Sequence, residues 1–378
     1  MGKASIVMAF LFALGLYGST AYYVGHKLFR WLHFLFPHLN GFIFSIIYSL
    51  IAFTLIVGFI PFPGTFKHIA NWLGSYWMGF FIYFLLFFVL LDIVFIVLRL
   101  LNVSITSALQ FYGGLAVILL TIGFVSYGLY NAAQLKHVSY SVSFDEKTAA
   151  SGMKIVLISD LHLGAVNSEN RLEAIVAEIN RLKPDLVCMP GDIFNDYFGS
   201  IQKPEKAIET LKKLNATYGV YASLGNHDAG KTFSHMLNFL EQSNITLLND
   251  EYTVIDDRLI LVGRLDPNPI GGYGELKRKD IGHLFEQMNP DLPVVVMDHT
   301  PINLDDYGEE VDLILSGHTH KGQVFPGNLI TKRIFEVDYG HYRRNENSPQ
   351  VIVTSGVGTW GMPMRVGTNN EIVSIHIR

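Results

Sequence analysis

"LSGHTHKGQVFP", residues 315–326, closes an apolar run with two histidines one residue apart, His318 and His320, between Gly317 and Gly322. Such a turn is either part of a metal site or a loop that happens to carry two imidazoles. What decides between them is whether other apolar runs end the same way. They do. "MKIVLIS" (153–159) runs into "DLHLG", which brings Asp160 and His162. "DLVCMP" (185–190) runs into "GDIFND" with Asp192, and "GVYASL" (219–224) into "GNHDAG" with Asn226, His227 and Asp228. "LPVVVMD" (292–298) is followed by His299. No packing requirement places Asp, Asn or His after five strands in succession, so the residues predict one shared site.

Between these runs lie amphipathic patterns at 170–182, 203–214 and 231–242, and later runs at 350–355 and 371–377 read as further strands. Short buried strands alternating with helices predict an α/β fold, with sheets buried between helices. In such folds sites are built at the carboxyl ends of strands. The residue types name the chemistry. Histidine nitrogen with carboxylate oxygen and no thiolate suits Mn, Fe or Zn. A carboxylate can bridge two such ions about 3.5–4 Å apart, a pair that clamps the attacking and leaving oxygens of a phosphoryl transfer and turns a bridging water into a nucleophile. Glycines at the turns let the backbone approach closely.

Asp-x-His, Gly-Asp, Gly-Asn-His-Asp, His and Gly-His-x-His, in that order, resemble the signature of the calcineurin-like metallophosphoesterases, over residues 150–378. "ISDLHLG", "GVYASLGNHD" and "LSGHTHKGQVFP" are similar to the bacterial membrane-associated branch, which includes lipid-related phosphodiesterases and some UDP-2,3-diacylglucosamine hydrolases; Lys321 stands where that branch usually has glycine. The resemblance implies two mixed β-sheets packed face to face and flanked by helices. It implies that Asp160, His162 and His320 hold one divalent ion, that Asn226, His299 and His318 hold a second, and that Asp192 bridges them. It also implies that His227 acts on the phosphoryl or leaving oxygen, with Asp228 orienting it. Lys321 and Arg365, in "GMPMRVG", are candidates for contacting the substrate phosphate. The loop 266–277, "DPNPIGGYGELK", reads as flexible and carries no substrate signature.

The first third of the chain is different. Half of the residues are apolar and only 16% are charged, well below the usual quarter, and the deficit lies before about residue 135. Four segments, 4–25, 41–60, 73–98 and 109–130, are expected to span a bilayer, which takes about 20 residues each. The chain thus divides into a transmembrane domain, 1–135, and a phosphoesterase domain, 136–378. The first segment lacks a clean cleavage site and is read as retained. Trp31, Trp72 and Trp77 are placed at the membrane interfaces. The close cations Lys27 and Arg30 mark the cytoplasmic loops, which puts the phosphoesterase domain outside the cytoplasm. Asp92, within the third segment, is an ionisable group at a costly depth, with an interfacial position or a hydroxyl or amide partner as the plain alternative. Cys188 is the single cysteine, so the chain has no intramolecular disulfide framework; it lies in a buried run and reads as a packing thiol. The net charge of −5 gives no sign of nucleic-acid binding.

Two functions from different classes follow. One is a multi-pass membrane enzyme hydrolysing a phosphoester or pyrophosphate bond of a lipid or lipid-linked substrate. The other is a transporter or receptor whose phosphoesterase-like domain is regulatory or only binds metal. The complete donor set favours the enzyme.

Overall fold

The computed structural model describes residues 3–57, 65–144, 147–164, 166, 169–302 and 304–378. The chain divides into two compact units, 1–129 and 130–378, a boundary six residues before the one expected.

The first unit consists of long apolar helices: α1 (Lys3–Leu35), α2 (Gly41–Val57), α3 (Thr65–Leu100) and α4 (Ser107–Ala133), whose last turn lies in the second unit. Three of them, α1, α3 and α4, are long and apolar enough to cross a membrane. The second expected span differs. As described, α2 has 17 residues, which at 1.5 Å per residue falls short of a hydrocarbon core about 30 Å thick; residues 58–60 of that expected span lie outside the described residues. Hydroxyls and indoles tie the helices together. Tyr17 donates to the Ala52 carbonyl at 2.8 Å, Tyr48 to the Ala21 carbonyl at 2.7 Å, and the Trp77 indole to the Tyr17 hydroxyl at 2.9 Å. Trp31 and Trp77 are buried, whereas Trp72 is exposed, so the first two are interhelix packing residues rather than interfacial anchors. Small residues allow close approach: a side chain at Gly114 would collide with Trp31. Gly123, by contrast, faces open space. Asp92 is paired with Lys27 and accepts from the Tyr23 hydroxyl at 2.7 Å. That cation offsets the cost of the carboxylate's depth.

The second unit is an α/β sandwich. Its strands are β1 (Leu135–Val142), β2 (Lys154–Leu157), β3 (Leu186–Pro190), β4 (Val220–Ser223), β5 (Thr246–Leu247), β6 (Glu251–Ile255), β7 (Leu259–Gly263), β8 (Val294–Met297), β9 (Leu313–Ser316), β10 (Gly340–Arg343), β11 (Gln350–Val353) and β12 (Asn370–Ile377). Its helices are α5 (Glu169–Leu182), α6 (Pro204–Leu211), α7 (Phe233–Gln242), α8 (Gly282–Phe285) and α9 (Gly327–Ile334). One sheet has the order β1-β12-β2-β3-β4-β5, the other β10-β11-β9-β8-β7-β6. Both are mixed: β2, β3, β4 and β5 run parallel, as do β7, β8, β9 and β11, while β12 meets β2, β6 meets β7 and β10 meets β11 in antiparallel fashion.

Alternation along each strand explains the layers. Ile155, Leu157 and Cys188 of the first sheet pack against Leu261, Val295, Met297 and Leu315 of the second, in the core between the sheets. The intervening Val156, Val187 and Met189 turn outward onto Ile175, Ile179, Leu211 and Phe239 of α5, α6 and α7. Ile260, Val296 and Ile314 do the same on the opposite face. Strands buried on both faces read as continuous apolar runs, which is why the sequence shows them without a period of two. This register brings the carboxyl ends of β2, β3, β4, β8 and β9 to one edge of the sandwich.

Candidate metal centre

Each of those five strand ends delivers its polar residues to one place. Two groups of ligand atoms converge there, Asp160 with His162 and His320, and Asp192 with His299 and His318; within each group the atoms lie within 4.8 Å of one another. In the first, the Nε2 atoms of His162 and His320 are 3.0 Å apart, and Asp160 Oδ1 lies 3.8 and 3.3 Å from them. In the second, His299 Nε2 lies 3.0 Å from Asp192 Oδ2, and His318 Nδ1 lies 3.0 Å from Asn226 Oδ1. Asp192 Oδ2 also lies 3.7 Å from His162 Nε2, so one carboxylate oxygen faces both groups. Its other oxygen accepts from the His227 backbone N–H at 2.9 Å, which fixes the orientation.

The backbone is strained to achieve this. Asp160, His162, Asp192, His318 and His320 all have φ between 46° and 67°, the left-handed region that costs a non-glycine residue about 1–2 kcal/mol. Glycine has a complementary task. A side chain at Gly317 would collide with the Asp160 carboxylate and Ser159, and one at Gly225 with the Asp192 carboxylate.

The electrostatics fit cations. Burial pushes His162 down to about 3 and His318 down to about 4, and holds His320 well below its ordinary range. These rings are neutral at pH 7, with lone pairs available. Burial raises Asp160 to about 6. It also opposes ionisation of Asp192, but the neighbouring imidazoles, His299 first, outweigh it and hold that carboxyl below the usual range. His299 donates its Nδ1–H to the Pro190 carbonyl at 2.8 Å, which turns Nε2 toward the Asp192 carboxylate. Burial opposes a charge on His299, but Asp192 outweighs it and holds the ring well above its ordinary range, so positive charge is favoured between this nitrogen and the carboxylate. The donor set is nitrogen and oxygen only, and calcineurin-like phosphoesterases use a dinuclear divalent metal site.

His227 stands beside these groups. Its Nε2 is 4.0 Å from Asp192 Oδ2, and its Nδ1 is 2.6 Å from Asp196 Oδ1. Burial would lower its pKa, but the bond to Asp196 and the charge of Asp192 raise it above the ordinary value. The expected orienting residue, Asp228, has another task. Its carboxylate accepts from the backbone N–H groups of Phe194 at 2.8 Å and Gly225 at 2.9 Å, pinning the loops after β3 and β4 together. Asp196 therefore replaces Asp228 as the partner of His227. Its signal in the sequence is the second acid of "GDIFND", four residues after Asp192.

Arg365 is also corrected. It is fully buried. Its guanidinium donates to the carbonyls of His320 at 2.9 Å, Ser355 at 2.7 Å and Gly358 at 2.6 Å, and to Asn370 Oδ1 at 2.8 Å. Those donors are spent on holding the His320 turn, leaving none directed at a substrate. Lys321 sits beside the site with its ammonium 3.8 Å from the centre of the Tyr339 ring, and it does not line the cavity over the ligand atoms. That cavity has a volume of about 450 Å³, and its floor is Asp192, Asn226, His227, His318 and His320. Its walls include Ile270, Val324, Trp360 and Met362, none of which the sequence pattern singled out.

The comparisons agree with this geometry. Residues 153–322 match the calcineurin-like phosphoesterase family. The chain is 30% identical over 245 residues to an uncharacterized metallophosphoesterase of Aquifex aeolicus, covering 65% of this chain and 92% of that one. It is 30% identical over 231 residues to an uncharacterized metallophosphoesterase of Helicobacter pylori, covering 60% of each chain. It is 28% identical over 268 residues to a transmembrane protein with metallophosphoesterase domain of Danio rerio, covering 67% of this chain and 60% of that one. The chain thus spans about 60% of the length of the Helicobacter and Danio relatives. Strand-end donors, mixed sheets and sequence likeness converge on one assignment: the chain belongs to the calcineurin-like metallophosphoesterase family.

Proposed function

We propose that the chain is a membrane-embedded hydrolase that cleaves a phosphoester or pyrophosphate bond of a lipid or lipid-linked substrate. The observation that carries the hydrolytic reading is Asp192, whose Oδ2 faces His299 on one side and His162 on the other. In this reading Asp160, His162 and His320 hold one divalent ion, Asn226, His299 and His318 hold another, and Asp192 serves both; manganese, iron and zinc all suit the donors. When bound, such ions supply Lewis acidity to the phosphoryl oxygens and lower the pKa of a water. The protein's own residues do the rest. Asp160 accepts from the His318 backbone N–H and so keeps the two groups in register. His227, held through Nδ1 by Asp196, lies at the cavity floor, where a proton on its Nε2 would be placed to reach the leaving oxygen.

The lipid reading rests on the walls and on the apolar unit. Ile270 and Trp360 are exposed at the cavity rim, and an apolar rim favours a substrate with an apolar portion. Relatives such as the Danio protein are named as transmembrane proteins. We further propose that the phosphoesterase unit lies outside the cytoplasm. Arg30 and Arg99 stand at the same end of the apolar helices, because α2 runs back along α1 (Tyr17 on Ala52, Tyr48 on Ala21) and α3 then lies beside α1 with Lys27 on Asp92; among the described residues neither arginine has an ionic partner. Cations of this kind mark the cytoplasmic side. Residues 101–106 return the chain into α4 from that end, and the phosphoesterase unit follows α4. The test is a hydrolysis screen on the purified full chain in detergent, with Mn, Fe and Zn supplied separately. Bis-p-nitrophenyl phosphate, nucleotide-diphosphate lipids and phospholipids are the substrates. Turnover of the soluble diester alone would keep the hydrolase and remove the lipid; no turnover with any fully loaded metal would remove both.

A further inference from the structure

A surface helix of a globular protein normally turns its apolar residues inward. Helix α9 (Gly327–Ile334) does the reverse. None of its residues is buried. Leu329, Ile330 and Ile334 are 58%, 59% and 67% exposed. The side that meets the protein is polar: Thr331 donates to the Asp338 carboxylate at 2.9 Å. Lys332 and Arg333 are exposed on the same helix, and among the described residues neither has an ionic partner. An outward apolar stripe with Lys332 beside it and Arg333 within it, neither ion-paired among the described residues, suits the interface of a bilayer, where acyl chains lie beneath anionic head groups and a long cationic side chain reaches up to them.

Position gives this feature its meaning. Both ends of α9 are attached to the candidate metal centre. At its start, the His320–Gly322 turn precedes it, and Gln323 donates to the carbonyls of Trp360 and Met362 at 2.8 and 3.1 Å. Directly after it, Phe335 packs edge-on against His318, with ring centres 5.8 Å apart. Trp360 and Ile270, which line the cavity, are exposed and apolar as well. We propose that α9 is an interfacial helix that seats the mouth of the metal site on an anionic lipid surface. This deepens the lipid reading above and rests on it. Only Gln134 separates α4 from β1, so little free chain lies between the last apolar helix and the first strand of the phosphoesterase unit.

The test uses the full chain at one copy per lipid nanodisc. An environment-sensitive fluorophore is attached at Ile330→Cys and, for comparison, at Glu209→Cys on the exposed face of α6; the native Cys188 is buried. Spin-labelled lipid should quench the label at 330 and not the one at 209. Replacing phosphatidylglycerol by phosphatidylcholine should weaken the quenching, as should K332Q with R333Q, by about fivefold in lipid affinity for each cation. A second readout is I330D, with thermal melting to verify its fold. The ratio of its rate on a lipid phosphoester to its rate on bis-p-nitrophenyl phosphate should fall about tenfold, the effect of losing one apolar side chain's burial. Equal quenching at 330 and 209, or an unchanged rate ratio, would overturn the proposal. So would quenching at 330 that needs two copies per disc, since α9 would then pair with a second copy of the chain. Because quenching requires no turnover, an inactive protein whose 330 label is quenched would remove the hydrolase and keep the docking helix.

Discussion

Asp196→Asn is the substitution that separates two readings of the proton donor. Asp196 Oδ1 lies 2.6 Å from His227 Nδ1, and its side chain is 46% exposed. A hydrogen bond between charged partners contributes about 1.5–3 kcal/mol when well shielded. Partial solvation takes Asp196 to the low end of that range, so losing the charge should slow turnover by about tenfold. That is less than the 10²–10⁴-fold expected of His227→Ala, because the asparagine oxygen can still accept the Nδ1 proton. Among the described residues Asp196 receives no bond from a buried backbone group, so fold and metal content should not change. Asp228→Asn should behave in the opposite way. The amide keeps one acceptor oxygen for two backbone donors, Phe194 and Gly225. One N–H is left facing an NH₂, at about 2–3 kcal/mol of stability, with modest change in turnover by the molecules that stay folded. The assay is steady-state hydrolysis of bis-p-nitrophenyl phosphate with metal content and melting temperature measured on the same samples. Full turnover in D196N, together with a slow D228N of native melting temperature and metal content, would refute the reasoning and make Asp228 the orienting residue.

Asp192→Asn should lose both ions and all hydrolysis, whereas His227→Ala should keep the ions; elemental analysis of each purified variant checks this, and two ions per chain in D192N would remove Asp192 from the bridge. Arg365→Met should destabilise the fold by about 3–5 kcal/mol, since it strands the buried partners that the guanidinium satisfies; an unchanged denaturant midpoint would refute the buried anchor. A reporter active only outside the cytoplasm, fused after Arg378, should be active, and one inserted between α1 and α2 silent; the reverse pattern would place the phosphoesterase unit in the cytoplasm. A form beginning at Tyr130 should match the full chain on a soluble diester and fall behind it on a lipid phosphoester in mixed micelles; equal rates on both would reduce the apolar helices to an anchor. The start matters, because Arg171 and Asn370 both donate to the Ala132 carbonyl and β1 begins at Leu135.

The ligand residues were legible because the physics behind them is linear along the chain. A strand buried on both faces is a run of apolar residues, and the first polar residue after it marks the edge of the sheet. Asp160, Asp192, Asn226, His299 and His318 each fall there. The hairpin of β6 and β7 left a weaker trace. Its turn is built from Asp256 and Asp257 in the left-handed region, and acidic residues announce such a turn less clearly than Asn-Gly does. Within the apolar unit, length and hydropathy were legible but rotation was not. Whether Trp31 and Trp77 meet lipid or a neighbouring helix depends on the face they occupy, which four aromatic-rich helices do not reveal.

Asp228 and Arg365 differ from expectation because position along the chain does not fix which way a side chain turns. Asp228 adjoins His227, yet its carboxylate turns away beneath the loop to meet Gly225 and Phe194, while Asp196 reaches the same imidazole from the neighbouring strand's loop. Arg365 lies in a glycine-rich stretch that looks exposed, but three backbone carbonyls and Asn370 enclose it. Helix α9 escaped notice for the complementary reason. Helices are found by the stripe they bury, and Leu329, Ile330 and Ile334 point away from the protein. A periodic apolar pattern says that a surface must be covered without saying by what. In this chain five strand ends converge on one candidate metal site, and the helix tied to His318 and His320 turns its apolar residues outward. The same segment, residues 318–335, thus contributes His318 and His320 to the candidate metal site and the outward apolar face that we propose meets lipid.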